Sequence, residues 1–239
     1  MSYNSYIEWK GWSAENFGTY SDSEAAFYTA EISDLIATLA GVAVLEIGFG
    51  EGRFLRWARD QGAQVVGVEI QAELLTLARA QGFKVHEALH DVTRPDMGFG
   101  LIAAFDVFEH LTAAELASLL QRCHALCARD TAFLVARFPN GDSPFSLPMQ
   151  NGDPTHRTAW GSGAIRHVCR RSSWEVQQLR GVRISGTLRR RIARYFKKIV
   201  MKCIEATVFR LYLGPNRPTT FEQNYILVCR PTEGGTTLR

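Results

Sequence analysis

The sequence predicts an α/β protein built on a doubly wound, mostly parallel sheet, and three observations carry that prediction. The stretch Val42 to Phe54, VAVLEIGFGEGRF, joins an apolar and partly β-branched run to a glycine-rich turn and then to a helical pattern (Phe54, Leu55, Trp57, Ala58). A second apolar run, Gln64 to Glu69, ends in a carboxylate 69 − 46 = 23 positions after Glu46. Strand-like and helix-like periods then alternate as far as Phe138, the order that builds βαβ units.

Each element has its own signal. Residues 1–20 hold Tyr3, Tyr6, Trp9, Trp12, Phe17 and Tyr20 with little periodicity. Ser21 with Glu24 makes a capping box. Behind it Phe27, Tyr28, Ile32, Leu35, Ile36 and Leu39 mark one face of a helix expected to end at Gly41. This N-terminal stretch, 1–41, either closes over a ligand as a helical lid or covers one side of the sheet. Strand one, Val42–Ile47, and its helix lead to strand two, Gln64–Glu69, and to a helix over Ala72–Ala80 ended by Gly82. Phe83–Glu87 reads as strand three and Leu101–Phe105 as strand four. Thr112 and Glu115 form a second capping box, for a helix to about Cys127 whose apolar positions recur at three and four. Strand five, Thr131–Phe138, is expected to stop at Pro139. Residues 139–161 hold four of the chain's eight prolines and are expected to form a long loop without regular structure. Loops of that length are functional or disordered, and Asp153, His156 and Trp160 argue against disorder. Ser162–Arg171 reads as a short helix, Ser173–Leu179 as strand six and Asn224–Arg230 as strand seven.

Between the last two strands lies an insertion, 187–213. From Leu188 to Tyr212 apolar residues keep helical spacing, and the opposite face carries Arg189, Arg190, Arg194, Lys197, Lys198 and Lys202. No acidic residue occurs from Val176 to Ile204, whereas nine basic ones do. A solvated surface helix mixes both signs, so a one-signed face reads as a membrane-surface or anion-binding element. The alternative is a helix packed on the core whose outer face is basic. We expect residues 188–212 to meet an anionic membrane surface. The cations interrupting the stripe forbid a transmembrane span.

The glycine turn narrows the ligand. Gly48, Gly50 and Gly52 alternate, but position 53 is Arg, so the G-x-G-x-x-G spacing of dinucleotide loops is not met. Glu46 stands two residues before the first glycine. Its carboxylate repels a pyrophosphate and suits a cationic or amino-bearing ligand. This E-x-G-x-G-x-G pattern resembles the first motif of class I S-adenosylmethionine-dependent methyltransferases. Glu69, then His90-Asp91-Val92 after strand three, then Asp106 to Leu111 (DVFEHL) after strand four follow in the family's order. The resemblance implies one domain over 1–239 with a seven-stranded, Rossmann-like sheet whose last strand is antiparallel. Its cofactor-binding core is 42–138, and its substrate loop is 139–161, because acceptors in the family approach over strands four and five. It implies S-adenosyl-L-methionine as cofactor, held by Glu46, Gly48, Gly50, Gly52, Glu69, Ile70, Asp91, Val92, Phe105 and Asp106. Glu69 would take the ribose hydroxyls and Asp91 would sit beside the adenine amino group. One departure is Gly100, where the family often has Asp at the start of strand four. The GlyAspProThrHis loop and the basic insertion are similar to bacterial methyltransferases of surface-polysaccharide and lipid-linked glycan pathways.

Methyl transfer from a sulfonium is an in-line displacement, so the protein mainly positions the acceptor and excludes water. An alcohol acceptor must also lose a proton. His156 is the leading candidate base, with Asp153 three residues earlier to orient it; His110, beside Glu109, comes next. His86, His90, His124 and His167 lack a comparable setting. Metal-dependent chemistry needs clustered oxygen ligands, and Asp106 and Asp153 alone are too few, so no metal is expected. The expected acceptor is a hydroxyl of a sugar or lipid-linked glycan. The alternatives are a quinone or phenolic small molecule, or a non-catalytic cofactor-binding adaptor at the membrane surface. Nucleic acid is disfavoured because strand four is not followed by an Asn/Asp-Pro-Pro-aromatic motif.

Composition sets the remaining bounds. A chain of 239 residues suffices for one well-buried domain, and 46% hydrophobic with 21% charged residues is ordinary for a globular protein. The net charge, 27 − 24 = +3, gains meaning only from its concentration in the insertion. Five cysteines without a C-x-x-C pair suggest reduced thiols. Cys123 and Cys127, flanking His124 at helical spacing, read as small buried residues rather than as a metal corner. MSYNSYIEWK lacks an apolar signal region, and no run reaches the ~18 apolar residues of a membrane span. A cytoplasmic location, peripheral on the inner face of the membrane, is the expectation.

Overall fold

The computed structural model describes residues 11, 14–129, 131–186, 188–213 and 219–233, without the side chains of 188–191, 193, 194 and 212. Tyr3, Tyr6, Trp9 and Trp12 lie outside the described residues. Seven strands, β1 (Ala43–Ile47), β2 (Gln64–Val68), β3 (Lys84–His86), β4 (Leu101–Phe105), β5 (Phe133–Pro139), β6 (Trp174–Arg180) and β7 (Asn224–Pro231), form one sheet in the order β3-β2-β1-β4-β5-β7-β6. The first five pair in parallel, and β7 runs antiparallel between β5 and β6. The winding reverses between β1 and β4, which opens a crevice beyond the carboxyl ends of the strands.

Seven α-helices accompany the sheet among the described residues: α1 (Asp22–Ile32), α2 (Arg53–Asp60), α3 (Ala72–Ala80), α4 (Ala113–Leu126), α5 (Leu147–Gly152), α6 (Ser162–Arg171) and α7 (Leu188–Val208). Strand side chains alternate between the two faces. Leu45, Ile102, Leu134 and Leu227 meet Leu116 and Leu120 of α4 and Ile165 of α6. Their neighbours Val44, Leu101, Val135 and Ile226 meet Tyr28 and Ile32 of α1 and Phe54 and Trp57 of α2. Two buried tryptophans fasten the α4–α6 layer, Trp160 donating its indole N–H to Phe108 O at 2.6 Å and Trp174 to Leu120 O at 2.9 Å. Cys123 and Cys127 are buried as expected, while His124 Nε2 meets Thr232 O at 3.2 Å. Both capping boxes form, Ser21 with Glu24 and Thr112 with Glu115. Gly100, where the resemblance led us to expect Asp, leaves only 2.9 Å between a would-be Cβ and Val42 Cγ1.

Three elements depart from expectation. The first helix stops at Ile32 instead of reaching Gly41, and beside its end the Arg183 guanidinium donates to the Ala30 carbonyl at 3.0 Å. Residues 139–161 are not irregular throughout: Pro144–Ser146 makes a 3-10 turn and α5 follows. The prolines begin these turns rather than prevent them, since the first helical positions need no amide donor. The basic helix ends at Val208 and gives way to a π turn, Phe209–Leu213.

Glu31 of α1 is fully buried. It accepts the Arg183 amide at 2.7 Å and pairs with Arg180 Nη1 of β6 at 2.7 Å, so it joins α1 to the far edge of the sheet. Removing one member of a buried pair strands the other. Glu31→Ala should therefore lower the unfolding free energy in urea by about 3 kcal/mol, and Glu31→Gln, which keeps an acceptor for the amide, by less. Equal stability of both variants with the wild type would show that the pair contributes nothing.

Candidate active site

A cleft of about 1030 Å³ lies over the carboxyl ends of β1, β2, β4 and β5, and α1 supplies one wall through Ser23, Glu24, Phe27 and Tyr28. N-terminal residues thus both clad the sheet and line the cleft. The glycine turn forms its floor. Gly48, Gly50 and Gly52 have φ of 66°, 50° and 70°, the left-handed region that side chains disfavour. A Cβ on Gly48 would lie 2.6 Å from Val107, and one on Gly52 2.6 Å from the Phe17 ring. Glu69 follows β2 and accepts three backbone amides: Gly50 at 3.0 Å, Ile70 at 2.8 Å and Gln71 at 3.1 Å. Burial raises its carboxyl pKa, an effect those amides partly oppose. Glu46, only 4% exposed, keeps an oxygen with no hydrogen-bond partner. Burial pushes its pKa well above the ordinary range; the Leu55 amide works against this and the Glu69 charge adds to it.

Of the residues expected to hold a cofactor, Glu46, Gly48, Gly50, Glu69, Ile70, Phe105 and Asp106 line the cleft. Gly52 stands just behind as the N-cap of α2. Asp91 and Val92 are not in the lining: Val92 is core, and Asp91 turns outward to His90 at 3.3 Å. Arg122 of α4 draws this segment down by binding the carbonyls of Leu89, His90 and Val92, so Glu87, Ala88 and Leu89 take the lining positions. Sequence reasoning missed Arg137 of β5. Its Nε donates to Asp106 Oδ1 at 2.9 Å and its guanidinium lies 5.2 Å from the Phe27 ring centre. An arginine inside the apolar run FLVARFP was the available signal. Asp106 holds φ 57° to meet it, an uncommon conformation for a residue with a side chain.

The loop that carries His156 is stitched to the turn after β4. The carbonyl of Glu109 accepts the amides of Arg157 at 2.8 Å and Thr158 at 3.1 Å, and the Thr158 hydroxyl donates to Leu111 O at 2.7 Å. The stitching brings the rings of His110 and His156 edge to face, 4.8 Å between centres, and both line the cleft. His156 Nδ1 is 3.0 Å from the carbonyl of Gln150, one of the last carbonyls of α5. A carbonyl can only accept, so Nδ1 bears a proton, and in the neutral ring the lone pair is on Nε2. Asp153, expected to orient His156, lies 3.8 Å from Nε2, beyond hydrogen-bond reach. Its Oδ1 instead accepts the Thr155 amide at 2.9 Å and hydroxyl at 2.5 Å, and Thr155 Oγ1 meets His110 Nδ1 at 3.0 Å.

The expectation of no metal looked to Asp106 and Asp153, which meet Arg137 and Thr155. The structure gathers a different set: ligand atoms of Glu109, His110 and His156 lie within 4.8 Å of one another. Both imidazoles have Nδ1 held by protein groups, as metal-ligating histidines commonly do. This set could take a divalent cation.

The buried carboxyls fix a pH dependence. Glu46 and Glu69 both have raised values, so the folded chain takes up their protons more readily than the unfolded chain. The stability they allow is fully present below the unfolded value and is lost as pH rises through the raised ones. Glu46→Gln should raise the unfolding free energy at about pH 8 by about 1–2 kcal/mol, the scale of one unsatisfied buried group, and the two proteins should converge near pH 4. Urea titrations at both pH values measure this, and a less stable variant at the higher pH would contradict it.

A family model described as a methyltransferase domain matches residues 24–182. The ubiquinone biosynthesis O-methyltransferase of Rhodopseudomonas palustris (strain TIE-1) is 28% identical over 120 residues, 48% of this chain and 47% of that protein. The protein of the same description from Nitrobacter winogradskyi is 34% identical over 94 residues, 37% and 35% of the two chains. The chain thus spans about half the length of the curated relatives it matches. A SAM-dependent methyltransferase from Archaeoglobus fulgidus superposes with a TM-score of 0.62 at 19% identity, over 96% of this chain and 99% of that one. The magnesium protoporphyrin IX methyltransferase of Synechocystis PCC 6803, solved with bound SAH, gives 0.61 at 12% identity, over 96% and 95%. Because the family match extends from the first turn of α1 through β6, across the glycine turn and the histidine corner, the chain belongs to the methyltransferase-domain family and has the fold of S-adenosylmethionine-dependent methyltransferases.

Proposed function

We propose that this protein is an S-adenosylmethionine-dependent O-methyltransferase acting on a phenolic or quinol hydroxyl of a small aromatic acceptor. The observation that carries the reading is His156: its Nδ1–H is fixed on Gln150, and its ring lines the same cleft as the glycine turn and Glu69. The residues fit the cofactor. The turn at Gly48 and Gly50 admits close backbone approach, the unpartnered oxygen of Glu46 suits an ammonium, and Glu69 would hold ribose hydroxyls. S-adenosylmethionine, when bound, supplies an electrophilic methyl group on a sulfonium. Nε2 of His156 would take the proton of the acceptor hydroxyl as that oxygen receives the methyl group. Phe27, Tyr28, Phe54 and Phe105, packed ring on ring at 5.2–5.8 Å, exclude water and offer aromatic faces to a cation.

Aromatic and aliphatic walls (Phe27, Phe105, Val107, Leu111, Leu119) suit a flat ring, and the relatives named for ubiquinone biosynthesis support that class. The glycan acceptor rests on the resemblance of the loop and the basic insertion and ranks second. A different chemistry at the same site is favoured by the Glu109–His110–His156 set, where a bound divalent cation would acidify the hydroxyl in place of a base acting alone.

Labelled S-adenosylmethionine offered with catechols, hydroxybenzoates and glycan extracts tests the acceptor. Label in the phenolic arm supports the reading, label only in glycan overturns it, and cofactor binding without any transfer leaves the adaptor. His156→Ala should lower kcat by roughly 10²–10⁴-fold with cofactor affinity unchanged. Activity that disappears with a chelator and returns with added metal would favour the cation over the lone base. Glu69→Ala should weaken S-adenosylmethionine binding by about 1.5–3 kcal/mol in calorimetry, and unchanged affinity would remove Glu69 from the cofactor site.

A further inference from the structure

The helix α7 is seated the wrong way round for a helix that clads a core. Successive residues turn by about 100°, so positions 198, 205 and 209 share one side and 192, 196, 199 and 203 the other. The first side faces the protein and is largely charged. Lys198 reaches Val182 O at 3.2 Å and Glu222 at 3.0 Å. Buried Glu205 accepts the Thr220 hydroxyl at 2.8 Å, the Phe221 amide at 2.7 Å and Lys202 at 2.6 Å. Phe209 closes this side against Phe221, with ring centres 4.8 Å apart. The other side faces outward and is apolar: Phe196 is 70% exposed and Ile192 64%, and Tyr195, Ile199, Val200 and Ile204 are exposed with them. Phe145, whose ring meets Phe221, brings the exposed Leu147 and Met149 of α5 to the same end of α7. An apolar surface of this extent on a soluble face marks a site of association.

The occupant follows from charge. Apart from Lys198 and Lys202, which pair with Glu222 and Glu205, α7 carries Arg189, Arg190, Arg191, Arg194 and Lys197 and no acidic residue before Glu205, so a second copy would set like charge against like. An anionic bilayer meets both demands, taking the apolar side chains into its headgroup boundary and the cations at its surface. No helix among the described residues is long and apolar enough to cross a membrane, so at a bilayer α7 would lie along the interface. We propose that α7 docks this protein on an anionic lipid bilayer through Ile192, Phe196, Ile199 and Val200, with Lys197 among the cations that hold it there. The proposal stands apart from the identity of the methyl acceptor.

Cys203 supplies the probe, being the one exposed cysteine of the five and on the outward face. The full chain carrying a polarity-sensitive dye on Cys203 is mixed with phosphatidylcholine vesicles with and without phosphatidylglycerol, at low and high salt. The expected result is a blue shift and co-sedimentation with the anionic vesicles only, reversed by salt. Lys197→Ala should weaken the partition about fivefold, the effect of one cation near an anionic surface, and Phe196→Glu with Ile199→Glu should abolish it. S-adenosylmethionine binding by these variants, measured in parallel, shows that they fold and keeps the outcome independent of the catalytic reading. Absence of binding to anionic vesicles overturns the proposal. So does a dimer in sedimentation velocity that the Phe196→Glu, Ile199→Glu variant dissolves, since a second copy would then be the cover.

Discussion

The hydrogen bond from the Gly50 amide to the Glu69 carboxylate is the constraint on which the cleft depends. It ties the turn after β1 to the residue after β2, so two segments nineteen residues apart become one floor. The bond requires Gly50 to hold φ 50°, and its neighbours are equally committed: Gly48 makes room for Val107, and Gly52 for Phe17. Gly67 within β2 belongs to the same arrangement, since a Cβ there would come within 2.7 Å of the Phe49 ring that the turn projects. The glycines are therefore spent on packing as much as on admitting a ligand. Glu69 gathers three amides, so its carboxylate is held in one orientation at the edge of the cleft.

The opposite wall is organised by main-chain carbonyls. Phe108, Glu109 and Leu111 offer theirs to Trp160, to the amides of Arg157 and Thr158, and to the Thr158 hydroxyl. The loop that carries His156 is thereby registered against the turn that carries His110. Gln150, near the end of a short helix whose last carbonyls lack internal partners, fixes the His156 ring. The geometry of this wall arises largely from groups every residue possesses, with side chains entering at Trp160, Thr158, the two imidazoles and the Asp153–Thr155 contact.

What was legible in the sequence was what local rules decide. The glycine turn, both capping boxes and the helices Ala72–Ala80 and Ser162–Arg171 stand where spacing put them. Elements set by partners distant in the chain were not legible. Arg183 binds the last turn of α1 from 153 positions away, and Arg122 binds the carbonyls of Leu89, His90 and Val92 across some thirty. Prolines 144 and 148 read as breakers because their role depends on standing at the start of a turn rather than inside one. The meeting of His110 with His156 depends on a loop closure 46 residues long, which periodicity cannot register. In α7 the stripe was visible and its direction was not, because buried Glu205 and its partners at Thr220 and Phe221 decide which side turns inward.

The cleft wall and the outward-facing helix share an anchor. Residues 181–186 lead from β6 into α7, and Arg183 within them binds α1 twice, its amide on Glu31 and its guanidinium on the Ala30 carbonyl, and Asp34 just beyond the helix once. Arg180, at the end of β6, completes the attachment through Glu31. The same α1 presents Ser23, Glu24, Phe27 and Tyr28 to the cleft, with Glu24 paired to Arg53 of α2 at 2.5 Å. Buried charges of this kind stabilise little when compared with apolar packing, but they tolerate few alternative geometries. That selectivity suits a segment that must place a wall and a surface helix in fixed relation to one another.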